Sequence, residues 1–267
     1  MPIQNERVAT SNGKTDAHIR KQNAFSFFTM GTKLMYFQVG GTLSTPAEHF
    51  AVHQGLLDYH GFVIKGAPKH DLHGDLVYHL PNHEACTFRG LIELLYDRHL
   101  PTDDLIRVVK YPENWDYVEE SDLAKEEAPL ALSLAVEVFY LARHFSMHSI
   151  ANKAMTFIFN HYKQHRTIPS TARIRQIFEK ERCGKEELFV GLEDFIIDLC
   201  YKSDTTGDRD NLELLPPYFL AGIYFKNSEL NWFKADKNVV PLKLSWYHWD
   251  CGGVTERGAC GCEDIIE

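Results

Sequence analysis

The stretch between residues 33 and 100 constrains the fold most, because short apolar runs, turns and helical patterns follow one another closely there. Leu34 to Val39 carries no charge and is followed by two glycines, which is typical of a strand covered on both faces that ends in a turn. His49 to Val52 predicts a returning strand, and Leu76 to Leu80 predicts one more. The stretch therefore predicts a small β-sheet.

Two helical patterns alternate with these strands. His53 to Tyr59 predicts one turn of helix that ends at Gly61, and Glu84 to Leu100 predicts an amphipathic helix that is stopped by Pro101. The apolar residues of the second helix recur at three- and four-residue steps: Phe88, Leu91, Ile92 and Leu95. The order strand, strand, helix, strand, helix indicates an α+β domain.

The second half of the chain is predicted to be helical. Ala131 to Phe145 and Ile150 to His161 show the clearest helical periodicity, and the short joint between them predicts antiparallel neighbours. Ser170 is a plausible N-cap for a further helix, Glu186 to Tyr201 predicts another, and a short helix is expected to begin at Pro216. We expect these later helices to pack on the first domain.

These patterns divide the chain into four parts. They are a disordered N-terminal tail over 1–23, an α+β domain over 24–165 with an acidic insertion at 102–129, a helical extension over 166–234, and a His/Cys-containing tail over 235–267.

Charge and composition exclude several classes of function. The formal net charge is −9, which repels phosphate backbones and disfavours nucleic-acid binding. Apolar runs stay shorter than the roughly 18 residues of a membrane span. The first 22 residues are polar, so no signal peptide is expected and we expect an intracellular protein, cytoplasmic or nuclear. Cys86, Cys183 and Cys200 are widely spaced, as expected of reduced thiols.

Three segments, in this order, resemble one known family. They are Phe50 to Leu57, Val77 to Pro81 with the following helix, and Tyr140 to Ala151. Together the segments look like a BTB/POZ domain, in particular the type found in fungal proteins that carry a C-terminal helical extension. The resemblance covers roughly residues 33 to 163. It implies a helical cluster flanked by a small sheet, with no catalytic activity.

The resemblance implies a function in protein association. Members of the family form homodimers and recruit protein partners, and some act as substrate adaptors for cullin-3 ubiquitin ligases. The hydrophobic-x-Glu element of cullin-3 binders would lie between Lys65 and Asp75, where this chain carries no such triplet. A partner or dimer interface is implied on the first strand and on the helix led by His53. The candidate residues are Phe27, Phe28, Leu34, Phe50, His53 and Leu57.

The aromatic cluster before the first strand has two interpretations. Phe27 and Phe28, with Phe25 and Met30, could join the interface between two copies, or they could cover the domain of their own chain.

The sequence lacks the common motifs of catalysis and carries several histidines that could bind a metal. It contains no nucleophile elbow, phosphate-binding glycine loop or dinucleotide fingerprint, so we do not expect an enzyme. Histidines are dense between residues 49 and 83, where a zinc cluster or a pH sensor competes with solvated or core-capping side chains. His144 with His148, and His161 with His165, stand one helical turn apart and are alternative chelating pairs.

The C-terminal tail is the better candidate for a metal site. His248, Cys251, Cys260 and Cys262 supply four ligands of the types that zinc binds tetrahedrally. The Cys-x-Cys spacing is tighter than usual, and the alternative is a glycine-rich tail without metal. The sequence predicts no cofactor, with zinc at this tail as the alternative.

Overall fold

The structure is a computed structural model. It describes residues 31–41, 46–64, 66–70, 76–96, 98–102, 129–178, 191–202, 214–233, 242–243, 247 and 265–266.

Four strands form a small mixed sheet in the order β2-β1-β4-β3. They are β1 (Leu34–Val39), β2 (Glu48–His53), β3 (Lys69–His70) and β4 (Leu76–Leu80). β1 pairs antiparallel with β2 and parallel with β4, and β3 pairs antiparallel with β4. The predicted bounds of β1 and β4 are confirmed, and β2 is one residue longer at each end than expected.

Seven helices are described. They are α1 (Gln54–Tyr59), α2 (Ala85–Leu95), α3 (Pro129–His144), α4 (His148–His165), α5 (Thr171–Phe178), α6 (Gly191–Lys202) and α7 (Pro217–Phe233). A second, two-stranded sheet pairs β5 (Leu242–Lys243) with β6 (Ile265–Ile266). The predicted α+β class is confirmed.

One face of the four-stranded sheet is packed against α2. Phe37 at the centre of β1 is fully buried, and its ring lies 5.7 Å from the ring of Tyr78 and 5.2 Å from that of Phe88. The opposite face is only partly covered, because Tyr36 is 40% exposed. The expectation that β1 is covered on both faces is therefore wrong: its residues alternate between the core and a more open face.

The predicted lengths of two helices are wrong. α2 ends at Leu95 rather than at Leu100, because the Arg98 N–H donates to the Glu93 carbonyl over 2.9 Å, a bond that closes a Schellman-type end. α7 is predicted as a short helix but runs from Pro217 to Phe233.

The two segments of the chain that begin near Phe50 and near Leu130 share one interior. Leu56 on α1, Leu91 on α2 and Leu132 on α3 belong to the same buried cluster. The Val63 N–H donates to the Phe145 carbonyl over 2.8 Å, and this bond ties the end of α1 to the end of α3. These segments therefore fold as one unit.

Two helices end in the same way, and the ends lie at this contact. After α1, Gly61 has a φ of +74°, and after α3, Ser146 has a φ of +59°. The Phe62 N–H donates to the Leu57 carbonyl and the Met147 N–H donates to the Ala142 carbonyl, as in Schellman motifs. Gly61 adopts this conformation without strain, whereas a serine does so at a cost.

The later helices share the core with the first domain. The Tyr140 hydroxyl on α3 donates to the Ile177 carbonyl on α5 over 2.9 Å, and the rings of Phe159 and Phe195 lie 5.3 Å apart. The Ser170 Oγ accepts the Arg173 N–H over 3.2 Å, which confirms Ser170 as the N-cap of α5.

Candidate interaction surface

The corner between β2 and α1 contains His53, one of the predicted interface residues. His53 is the last residue of β2 and the N-cap of α1, and the following Gln54 N–H donates to the Lys33 carbonyl over 2.9 Å. The His53 backbone N–H donates to the Tyr96 hydroxyl over 3.3 Å, and the same hydroxyl lies 2.6 Å from His53 Nδ1. Tyr96 therefore fixes this corner from the end of α2.

The Tyr96 hydroxyl contacts both the backbone N–H and the ring of His53. The phenolic oxygen carries one proton and two lone pairs, so it accepts the backbone N–H and also bonds to Nδ1, with the direction of that second bond set by the tautomer of the ring. The imidazole is thereby held in one orientation at the edge of the sheet.

The other end of β2 is also tied to α2. Arg89 donates to the Glu48 carboxylate, and both side chains remain about 40% exposed. An exposed ion pair of this kind contributes about 0–1 kcal/mol, so its main effect is to restrict the position of the strand. β2, an edge of the described sheet, is thus anchored at both ends.

The predicted interface residues do not form one exposed surface. Leu34 lies opposite His53 in the β1–β2 register, and both are half-buried. Phe50 is half-buried, with its ring 5.2 Å from that of Phe88. Leu57 is only 1% exposed, so its assignment to a surface is corrected: it belongs to the core, because it lies on the inward side of α1. Phe27 and Phe28 lie outside the described residues.

The more open face of the sheet carries residues outside the predicted interface, among them two histidines of the histidine-dense stretch. Tyr36 lies opposite the exposed Ala51, and Gln38 pairs with His49 on one side and His79 on the other. Both histidines are exposed. The signal that could have found them is the alternation of side chains along β1, which the run of uncharged residues concealed. This surface is aromatic and polar, and these five residues include no Asp, Glu, Lys or Arg.

The histidine pairs are placed within the helical part of the fold. The rings of His161 and His165 lie 4.7 Å apart, and the ring of His144 lies 5.0 Å from that of His83. Over the described residues, no group of three or more His, Cys, Asp or Glu side chains is arranged to hold a metal ion. The predicted zinc ligands His248, Cys251, Cys260 and Cys262 lie outside the described residues.

Cys86 at the start of α2 is not suited to nucleophilic chemistry. Burial, and secondarily the charge of Glu84, raises the pKa of its thiol from 9.0 to about 12. Because the thiolate is the reactive form, this cysteine is protonated and inert near neutral pH.

Comparisons with protein-family models, with curated proteins and with solved structures find no match to this chain. The resemblance to BTB/POZ domains therefore stays a prediction that depends on the quoted residues. Among the described helices, none combines the length and apolar composition that crossing a bilayer requires.

Proposed function

We propose that this chain is a non-catalytic protein-interaction module of the BTB/POZ type, which self-associates and recruits a protein partner. The observation that carries the proposal is the anchored edge strand β2 beside a sheet face on which Tyr36 is 40% exposed. Edge strands and exposed aromatic side chains are features that proteins use to bind other chains.

The way β2 is held supports recruitment of a partner. Tyr96 fixes the His53 end of the strand and Arg89 holds the Glu48 end, so the strand is ordered before a partner arrives. A preorganised surface loses less conformational entropy on binding than a mobile one. The neighbouring Tyr36 supplies apolar area, and the hydroxyl of Tyr36 can still bond to water or to the partner.

An intracellular setting for this interaction is proposed from the sequence, where Cys86, Cys183 and Cys200 are widely spaced, as expected of reduced thiols. Recruitment to a cullin-3 ubiquitin ligase and zinc binding by the C-terminal tail stay predictions from the sequence.

Self-association is tested by sedimentation equilibrium of the full chain. We expect a reversible dimer at micromolar concentrations. A monomer at every concentration up to about 100 μM would refute self-association, because an affinity weaker than this lies below that of specific dimers.

Partner recruitment is tested by comparative capture from an extract of the native cell. The bait proteins are the wild type, Tyr36→Glu and the control Ile168→Glu, whose side chain is similarly exposed at 37% but lies between α4 and α5. We expect specific proteins to be lost with Tyr36→Glu and retained with Ile168→Glu. Identical captured sets for all three baits would contradict recruitment through the sheet face.

A further inference from the structure

α7 is fixed to the rest of the fold along one side. Phe219 and Ile223 are buried, at 2% and 5% exposed. Gly222 lies so close to α6 that a Cβ at this position would collide with the Ile197 side chain. Lys226 donates to the Asp198 carboxylate over 2.8 Å. These contacts define an inner side and leave the opposite side of the helix directed away from α6.

The opposite side carries the most exposed aromatic residues of the described structure. Tyr218, Tyr224 and Phe225 are 69%, 70% and 63% exposed, and the rings of Tyr224 and Phe225 lie 6.0 Å apart. Ala221 and Ser228 are exposed on the same side. We call these five residues the α7 outer face. Large apolar side chains gathered on one side of a helix are typical of an interaction site.

The order of side-chain sizes along the outer face indicates what covers it. Tyr218, Ala221, Phe225 and Ser228 follow one another at steps of three, four and three residues, which is the spacing of a helix–helix seam. Their sizes alternate as large, small, large, small. Read in the reverse direction, the order becomes small, large, small, large.

This alternation is complementary to itself when two copies of the helix run antiparallel. A two-fold axis between Ala221 and Phe225 brings each of these residues opposite the other, and it brings Tyr218 of one copy opposite Ser228 of the other. Tyr218 and Phe225 then each meet a small residue, which is the condition for interdigitation, while Tyr224 lies outside this seam. A parallel pairing would instead set aromatic residues against aromatic residues and small residues against small ones.

The three exposed aromatic side chains supply half of the area that a standard symmetric interface buries. A fully covered aromatic side chain buries about 150–250 Å², so three that are about two-thirds exposed offer roughly 400 Å². A symmetric contact counts this area in both copies, or about 800 Å² in total. A standard interface of about 1,600 Å² therefore needs further residues around these three.

The α7 outer face itself carries no charge that would oppose a second copy. The formal net charge is −9, so two copies repel at long range, but the α7 outer face contains no charged residue. A strongly basic partner would find no acidic side chain among these five residues to pair with. Repulsion between two copies is screened by salt, so the contact becomes stronger as ionic strength rises.

From these observations we infer that the α7 outer face is the self-association surface of this protein, and that two copies pack their α7 helices antiparallel across it. The inference rests on the proposed self-association and assigns it to a surface that lies away from the sheet. The sheet face around Tyr36 is thereby left available for the protein partner.

The surface is tested by sedimentation equilibrium of the full chain in about 0.5 M NaCl, where repulsion is screened. We expect Phe225→Glu and Tyr218→Glu each to raise the dimer dissociation constant at least about tenfold. Ile168→Glu, at a side chain that is 37% exposed between α4 and α5, is the control and should leave it unchanged. Circular dichroism melting of each variant checks the fold, which these exposed positions should not alter.

The outcomes separate this inference from the proposed function. A wild-type dimer that Phe225→Glu and Tyr218→Glu leave intact overturns the α7 surface, while self-association itself stands. A wild-type monomer up to about 100 μM overturns both.

The antiparallel orientation is tested by disulfide cross-linking in full-length chains. Tyr218→Cys and Ser228→Cys proteins are mixed, oxidised and mapped by mass spectrometry of the linked peptides. We expect mixed links between positions 218 and 228, because disulfides form only where Cα atoms lie within about 7 Å. Links that join 218 to 218 and 228 to 228 instead would overturn the antiparallel packing.

Discussion

Gly90 controls how closely α2 approaches α3, and replacing it provides a direct test of the shared interior. A Cβ built at Gly90 would lie 3.0 Å from Val138 Cγ2 and 3.1 Å from Leu134 Cδ1. These neighbours cannot move toward solvent, because Val138 and Leu134 are 0% and 1% exposed. Gly90→Ala therefore adds a methyl group where the two helices already touch.

Two opposing terms set the magnitude for Gly90→Ala. Alanine is favoured over glycine inside a helix by about 0.8–1.0 kcal/mol. Overpacking a closely packed core costs about 1–3 kcal/mol. We expect the cost to exceed the gain, so that the free energy of unfolding falls by about 1 kcal/mol. Urea denaturation followed by far-UV circular dichroism measures this change.

A double-mutant cycle isolates the steric term. Val138→Ala alone should destabilise the protein, because it removes methyl groups from a fully buried position. In the presence of Val138→Ala, the new methyl of Gly90→Ala enters the vacated space. We expect the double variant to be more stable than the sum of the single changes by about 1 kcal/mol. If Gly90→Ala instead stabilises the protein by about 1 kcal/mol and shows no coupling, the close contact is refuted.

Three further predictions follow from single positions. Ser146→Gly should raise the free energy of unfolding by about 0.5–1 kcal/mol, measured in urea, because glycine adopts the φ of +59° without strain; no gain would contradict this. Arg173→Ala should lower the free energy of unfolding, measured in urea, by about 2–5 kcal/mol, because it leaves a cavity at a fully buried side chain and removes the group that donates to Ser133 Oγ over 2.6 Å; Arg173→Met, which restores volume, should cost less. Iodoacetamide at about pH 8.5 should alkylate Cys86 only after unfolding, as detected by mass spectrometry. Labelling of the folded protein at about pH 8.5 would contradict the raised pKa of Cys86. Since folding raises this pKa from 9.0 to about 12, the contribution of Cys86 to the free energy of unfolding is present below about pH 9 and is lost as the pH rises toward about 12.

Local patterns in the sequence were sufficient to locate most elements of the first domain. The uncharged run Leu34–Val39 and the run Leu76–Leu80 predict the first and last residues of β1 and β4 correctly. The joint Phe145 to Met147 lies between α3 and α4 as predicted. Side-chain periodicity and turn residues determine where a strand or helix begins and ends, and both involve only residues that are close together in the sequence.

The candidate surfaces were harder to predict. The helix α1 was predicted to begin at His53, one residue before its first residue Gln54, and the bond from His53 to Tyr96 joins residues 43 positions apart. Leu57 was assigned to an interface although it is buried, because a short apolar pattern does not say which partner covers it. The exposed aromatic residues of α7 were missed for the same reason: an apolar residue on a helix is expected to be in the core.

The sequence by itself determined the α+β class, the strands β1 and β4 and the pair of long helices, because these depend on local periodicity and on turn chemistry. Only the tertiary structure decided that Leu57 lies inside and that Phe225 lies outside. It did so because burial depends on which helix packs against which, and α6 occupies the inner side of α7 through Ile197 and Asp198. On the opposite side of α7, Tyr218, Tyr224 and Phe225 are exposed in the described structure.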